Sequence, residues 1–389
     1  MSSIKLTLFS QILGLVDRTV FHKVVKKHDT DKHHKGINTW THFVSMLFMQ
    51  IADAGSLRDI SNGMRSATGN LSHLGIEKAP SKSALGYRNK ERNYEVFRDL
   101  YFALLDQLEP SVQRKRLYAN RLKRKIFIMD ASIIPLCLSL FDWAKFRTTK
   151  GGIKLHTVVD YDTGLPCYSV ITEAKKHEIQ VARPLVFPSG SVVVVDRGYV
   201  DYAWLYNLDS CGVTFVTRLK SNADIAVSES FLTDTKREHI LSDEDIVLAG
   251  YSSKKAYPKP LRVVKVQDPV NDQTLYLLTN QMSWTADTIS QLYKARWDVE
   301  VFFKHLKQLF RVKTFVGTST NAVRIQMWCS MIAILLVNCL KRRAKYPWHL
   351  SNLITFLRIN LFVKIDLWKW LDKPLIEKSH SPPQNLIFR

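Results

Sequence analysis

The spacing of apolar residues changes twice along this chain. Up to about residue 110 it is helical: Leu6, Phe9, Ile12, Leu13 and Val16 recur at helical intervals, and Trp40 to Ile51 forms a second apolar stretch. From residue 125 the pattern is that of strands. Lys125 to Ser132 is a short apolar run holding Asp130, Ile153 to Asp160 alternates, and Leu165 to Thr172 follows the turn signal Asp162-Thr-Gly164. A helical patch near Glu178 to Leu185 precedes Val192-Val-Val-Val195-Asp196, which reads as a fully buried strand with an acid at its exit. Tyr202 to Ser210 is helical and Val213 to Leu219 is a strand. After residue 286 the helical period returns.

Three strands, helix, strand, helix, strand is the element order of a ribonuclease-H-like α/β fold. The first three strands are expected to form an antiparallel meander and the later ones to pair in parallel. Residues 222–285 interrupt this scheme: an acidic start (Asp243-Glu-Asp245) leads to strand-like runs at 246–248, 261–266 and 274–278. The expected architecture is an α/β mixed sheet with a β-rich insertion before the helix that carries Glu300, preceded by an N-terminal helical domain. Expected boundaries are a helical DNA-binding domain at 1–113, a basic linker at 114–124 and core segments at 125–221 and 286–345. The insertion would occupy 222–285 and a basic helical tail 346–389.

Charge sharpens the picture. The net charge is +21, so a polyanion is the first partner to consider. It is unevenly spread: +11 over residues 1–125 (22 cations, 11 acids), −2 over 126–290 (17 and 19) and +12 over 291–389 (17 and 5). A ribosomal or histone-like protein would be basic throughout. Ser56 to Met64 and Pro80 to Arg88 could form a helix-turn-helix, or belong to a plain bundle with a basic surface. The run Arg114 to Lys125 holds seven cations and no acid, as a solvated linker or a phosphate contact would. Five scattered cysteines (Cys137, Cys167, Cys211, Cys329, Cys339) give no disulfide framework or zinc pattern. His22, His28, His33, His34 and His42 lack ligand spacing. Met327 to Leu340 is short for a membrane span and reads as a buried helix. A cytoplasmic protein with no membrane partner is expected.

Three carboxylates stand out. Asp130 and Asp196 are read as strand-end acids, with Gly198 after the second to allow a tight turn. Glu300 lies in Tyr293 to Lys307, which reads as one helix with Tyr293, Arg296, Glu300, Lys304 and Lys307 on a single face and Trp297 at its edge. Only the fold could unite acids so far apart in sequence. Together they would repel unless divalent cations with oxygen preference relieved them. Two Mg²⁺ ions would suit phosphodiester chemistry, with Mn²⁺ as a substitute. Lys154 could reach a DNA strand or be an ordinary exposed strand cation.

The spacing of Tyr293, Arg296, Glu300 and Lys307 resembles the signature of a large group of bacterial insertion-sequence DDE transposases, the YREK-signature group. Asp196-Arg-Gly-Tyr199 and Met129-Asp130-Ala-Ser132 are similar to that group's two aspartate motifs, although many relatives have serine where this chain has Ala131. Phe215 to Lys220, Leu277 to Asn280 and Val316 to Val323 are also similar to family segments. The resemblance covers roughly residues 125–340. It implies cut-and-paste transposition, with excision and strand transfer of an element and a hairpin intermediate left open. Asp130, Asp196 and Glu300 would be the metal-binding catalytic triad. Tyr293, Arg296 and Lys307 would hold phosphates near the transposon end, with Lys304 and Lys154 beside them, and Trp297 would stack a flipped base. Partners would be double-stranded DNA (transposon ends and target) and a second copy, as a homodimer on DNA in the bacterial nucleoid. A nuclease of the same fold without strand transfer, or an inactive DNA-binding relative, are the alternatives.

Overall fold

A computed structural model of the chain describes residues 6–67, 69–112, 122–137, 139–147, 150–231, 239–268, 272–310, 312 and 314–375. Most of the basic run expected as a linker, residues 113–121, therefore lies outside the described residues. The chain divides into two compact units, one of residues 112–324 and one of residues 1–111 with 325–389.

The first of these is built on a ten-stranded sheet. Its strands are β1 (Ile126–Leu136), β2 (Lys145–Arg147), β3 (Lys150–Asp160), β4 (Leu165–Glu173), β5 (Val192–Val195), β6 (Thr214–Arg218), β7 (Ile225–Phe231), β8 (Ile240–Leu248), β9 (Leu261–Asp268) and β10 (Gln273–Thr279). They lie in the order β2-β3-β1-β5-β6-β10-β9-β8-β7, with β4 paired to β3. β1, β3 and β4 form the expected antiparallel meander. β5 lies parallel to both β1 and β6. This is the ribonuclease-H-like arrangement.

β5 explains itself chemically. Val192 to Val195 are all fully buried. β-branched side chains suit a pleated strand packed on both faces, and each buried valine contributes about 1.5–3 kcal/mol. On one face Val193 and Val195 share a core with Phe127, Trp204, Leu205 and Phe215.

One strand differs from the sequence expectation. β1 continues past Asp130 to Leu136, because Ala131 to Leu136 go on pairing with β3. Asp130 is thus a mid-strand residue. The β-rich insertion, whose place in the sheet the sequence leaves open, extends the same sheet, since β10 pairs antiparallel with β6. Thr279 Oγ1 donates to the Phe215 carbonyl at 2.6 Å, and the Phe215 N–H donates to Asn280 Oδ1 at 2.9 Å.

The helical unit joins both ends of the chain. The Leu8 and Phe9 N–H groups donate to the Val363 and Leu361 carbonyls at 3.0 and 2.9 Å, and Gln11 Nε2 donates to the Ile365 carbonyl at 2.6 Å. Phe48 and Phe362 stack, with Phe9 packed edge-on to Phe362, and Tyr101 packs at a tilt against Trp328. The described part of the basic tail, residues 346–375, is therefore part of the helical unit. The apolar run at 327–340 lies in the helix Thr320–Arg343, whose apolar window is 89% buried within the protein. Helices Leu57–Ser66 and Lys82–Glu91 are both present, the second capped by Ser81 as its sequence suggests. Arg343, in the cationic stretch after the apolar run, stacks over Trp368 at 4.2 Å.

A buried ion pair fixes the approach to the Glu300 region. Arg262 forks onto Asp243 at 2.6 and 2.7 Å, and its Nη1 donates to the Trp284 carbonyl at 2.6 Å. Arg262→Ala would leave a buried carboxylate and uncapped carbonyls, so urea unfolding should show a loss of about 3–5 kcal/mol. A loss below about 1 kcal/mol would mean that this pair behaves as a solvated surface bridge.

Candidate active site

The sheet brings the two aspartates side by side. Met129 on β1 pairs with Val195 on β5, so Asp130 and Asp196 follow on the next rung of neighbouring parallel strands. Adjacent strands run about 4.7–4.9 Å apart. The turn after Asp196 is a single 3₁₀ turn, Arg197–Tyr199, and Gly198 in it lies outside the left-handed region, so no glycine-specific geometry is needed there.

Glu300 arrives on the helix Trp297–Leu309, which packs on β1 and buries Val299, Phe302, Phe303 and Leu306. Residues 293–307 are not one uniform helix. Ala286–Lys294 and Trp297–Leu309 are separated by a tightened turn in which the Arg296 N–H donates to the Tyr293 carbonyl at 3.0 Å. This step leaves Tyr293 buried while Trp297 remains 51% exposed.

Arginines hold the cluster together. Arg296 Nη1 lies 2.6 Å from Glu300 Oε1 and 3.7 Å from Asp130 Oδ2. Arg218 Nη2 donates to Asp196 Oδ1 at 2.7 Å, and the Tyr293 hydroxyl donates to the same oxygen at 3.3 Å. The Ala131 N–H donates to Asp130 Oδ1 at 2.8 Å. Arg296 is within 6 Å of both the Tyr293 and Trp297 ring centres, at 5.7 and 5.8 Å.

The environments of the acids differ. Burial, aided by the like charges of Asp196 and Glu300, pushes the Asp130 carboxyl up to about 6, against the pull of the Ala131 N–H and Arg296. Burial also works to raise Asp196, but the Arg197 N–H and the Arg218 guanidinium outweigh it and hold that carboxyl below its usual range. The Tyr293 hydroxyl is pushed up to about 12, chiefly by burial, so it stays a donor. Burial tends to lower Arg296, yet Tyr293, Glu300 and Asp196 leave it raised and charged. Burial prevails at Asp130 because its 3.7 Å contact with Arg296 is too long to be a hydrogen bond, whereas Arg296 has Glu300 at 2.6 Å.

Lys154 is placed elsewhere. Its ammonium is buried, donating to Glu178 Oε1 at 2.8 Å and to the Lys176 carbonyl at 2.9 Å. It is therefore neither an exposed strand cation nor presented to a DNA strand. Lys304 is exposed and Lys307 half-buried on the Glu300 helix. Arg218 was missed as a site residue, although Phe215 to Lys220 was singled out. The signal was available: β6 runs parallel to β5, so the residue ending β6 must lie near the acid that follows β5. Tyr199 was quoted only as part of a motif. Its hydroxyl is buried, finds no partner and is raised by burial and by the charges of Asp130, Glu178 and Asp196.

A family model described as the transposase DDE domain matches residues 121–336, and one described as a domain of unknown function matches residues 5–77. The chain is similar to a Sinorhizobium fredii protein named as transposase y4zB, at 30% identity over 309 residues, which cover 79% of this chain and 84% of that one. It is 26% identical to a Geobacillus stearothermophilus protein named as the transposase for insertion sequence element IS5377, over 71% of this chain and 72% of that one. A solved piggyBac transposase synaptic complex with hairpin DNA is similar at 11% identity and a TM-score of 0.41, over 95% of this chain and 81% of that one.

Transposase DDE domains generally use divalent metal ions. The donor chemistry here fits such an ion, because three carboxylates supply only hard oxygen ligands. As they stand, however, the acids are paired with arginine. Among the described residues no three His, Cys, Asp or Glu side chains are grouped so as to hold a metal.

The raised Asp130 carboxyl has a cost for stability. Folded Asp130 keeps its proton to higher pH than the unfolded chain, so stability from this group falls as pH rises from near 3.8 through about 6. Asp130→Asn removes that penalty. At pH 8 in the presence of a chelator, the variant should be more stable by up to about 3 kcal/mol, with the gain vanishing near pH 4. A variant no more stable than the parent at pH 8 would show that Arg296 fully compensates the buried charge.

Proposed function

We propose, from the premise that this chain belongs to the transposase DDE domain family, that it is a DNA transposase which excises an insertion-sequence element and joins it to a target by cut-and-paste chemistry. The observation that carries this reading is the neighbouring pair Asp130 and Asp196 with Glu300 tied to Asp130 through Arg296. Such a cluster suits a reaction that passes negative charge between phosphodiester oxygens.

In this reading Asp130, Asp196 and Glu300 would hold divalent ions, Mg²⁺ by preference, which supply Lewis-acid stabilisation of attacking and leaving oxygens when bound. Arg296 would grip a phosphate with its planar fork, and Tyr293 would donate a further hydrogen bond. Lys304 and Lys307 would add point charges along the same helix. Trp297, half in solvent beside Arg296, would be the platform for a base swung out of the stack. Hydrolysis would free a 3′-hydroxyl at the element end, and that hydroxyl would attack the target strand. In the helical unit, Lys82, Ser83, Tyr87 and Lys90 are exposed on the helix Lys82–Glu91 and would read duplex DNA. Two ends must be held together, so a homodimer on DNA in the bacterial cytoplasm is the proposed working form.

With a plasmid-borne copy of the element and Mg²⁺, Glu300→Gln should cut roughly a thousandfold more slowly, the scale of losing one preorganised electrostatic group. Binding to the element end should persist. Unimpaired cutting by this variant would overturn the site, and cutting by the parent with no joined product would favour a nuclease. Trp297→Ala should slow hairpin closure more than the first nick, by a factor matching the roughly 1–3 kcal/mol of one stacked base. Equal slowing of both steps would argue against stacking.

A further inference from the structure

The acids proposed to hold divalent ions already have counter-ions of the chain's own. Arg296 serves Glu300 and Asp130, and Arg218 serves Asp196. An arginine left within hydrogen-bond reach of the acids would be repelled by a divalent cation bound to the same carboxylates. Occupancy of the triad by arginine and by metal is therefore competitive.

The arginines are also incompletely used. The Nε–H groups of Arg296 and Arg218 are buried and meet no acceptor among the described residues. A guanidinium has five N–H donors in one plane, suited to two oxygens of a single anion. Arg296 stands immediately before the helix Trp297–Leu309, where the helix dipole disfavours a cation and favours an anion. Its pairing with Glu300 has the cation ahead of the acid at i and i+4, the weaker of the two orders. A phosphodiester would answer all three conditions. It would satisfy Nε together with a terminal nitrogen, place negative charge at the helix start, and take the arginine away from Glu300.

We propose that Arg296 is an exchangeable counter-ion: a DNA phosphate draws it off Glu300 and Asp130, and divalent ions replace it on those carboxylates. DNA and metal then bind cooperatively at one site, and the carboxylates take up metal well only where there is a strand to cut. Arg218 plays the same part for Asp196. This rests on the triad being the metal site, and the test separates the two.

Mn²⁺ binding to the full-length chain can be followed by loss of the free-ion electron spin resonance signal, with and without a short DNA duplex at low salt. Asp130→Asn with the same duplex gives the background of Mn²⁺ held by DNA itself. Above that background, DNA should tighten Mn²⁺ binding by about tenfold, within the 5–150-fold range usual for coupled sites, and Mn²⁺ should tighten DNA by the same factor. Arg296→Gln should bind Mn²⁺ without DNA about as tightly as the parent does with it, so that the coupling largely disappears. Parent protein whose Mn²⁺ affinity ignores DNA would overturn the exchange, as would an Arg296→Gln variant that still requires DNA. If Asp130→Asn binds Mn²⁺ as well as the parent, the triad assignment itself falls. The parent comparison needs no variant, and circular dichroism checks that each variant is folded.

Discussion

Two carboxylates side by side just past the last paired rung of a buried parallel strand pair cannot both stay ionised without positive charge beside them, and the centre of this molecule is organised around that requirement. Asp130 follows Met129 and Asp196 follows Val195, a pair fixed by four buried valines on one side and the apolar start of β1 on the other. The backbone pairing leaves no freedom to move the acids apart. Relief comes from outside the two strands: Arg218 at the end of β6, and Arg296 from the turn between two helices.

Other parts of the sheet unit make sense as supports for that arrangement. The strands β7 to β10 extend the sheet beyond β6, and Asn280 and Thr279 lock β10 against β6, the strand that carries Arg218. Arg262 then gathers the carbonyls of Gln281 and Trp284, so the chain enters the helix of Tyr293 from a fixed point. The tightened turn at Arg296 changes the rotation between the two helices. It buries the tyrosine that donates to Asp196 and turns the neighbouring tryptophan outward. The sheet sets the charges, while the helical segment leaves Trp297 and Lys304 exposed beside them.

Much of this was legible from sequence because it depends on local periodicity. The valine run announced a central strand, and the helical spacing from Tyr293 onward found the face carrying Glu300. The antiparallel meander and the parallel pairing of β5 with β6 followed from element order. What was not legible depended on pairing between distant segments. Nothing local says that β1 continues beyond Asp130, since Ser132 to Leu136 become a strand only through pairing with β3. The extension of the sheet by β10 is likewise set by long-range register. Lys154 looked available because a cation on an alternating strand usually faces water; Glu178, on a later helix, captured it. The break at Arg296 is a matter of one tightened turn, below what apolar spacing can resolve.

The central claim concerns where ions and phosphate sit relative to Asp130, Asp196, Glu300 and Arg296. Anomalous scattering from Mn²⁺ in crystals of the protein bound to a DNA end measures this directly. The account predicts Mn²⁺ peaks coordinated by Asp130, Asp196 and Glu300, with the Arg296 guanidinium on a phosphate of the bound strand. Peaks away from those three acids, or an Arg296 still bridging Glu300 and Asp130 while metal is bound, would contradict it.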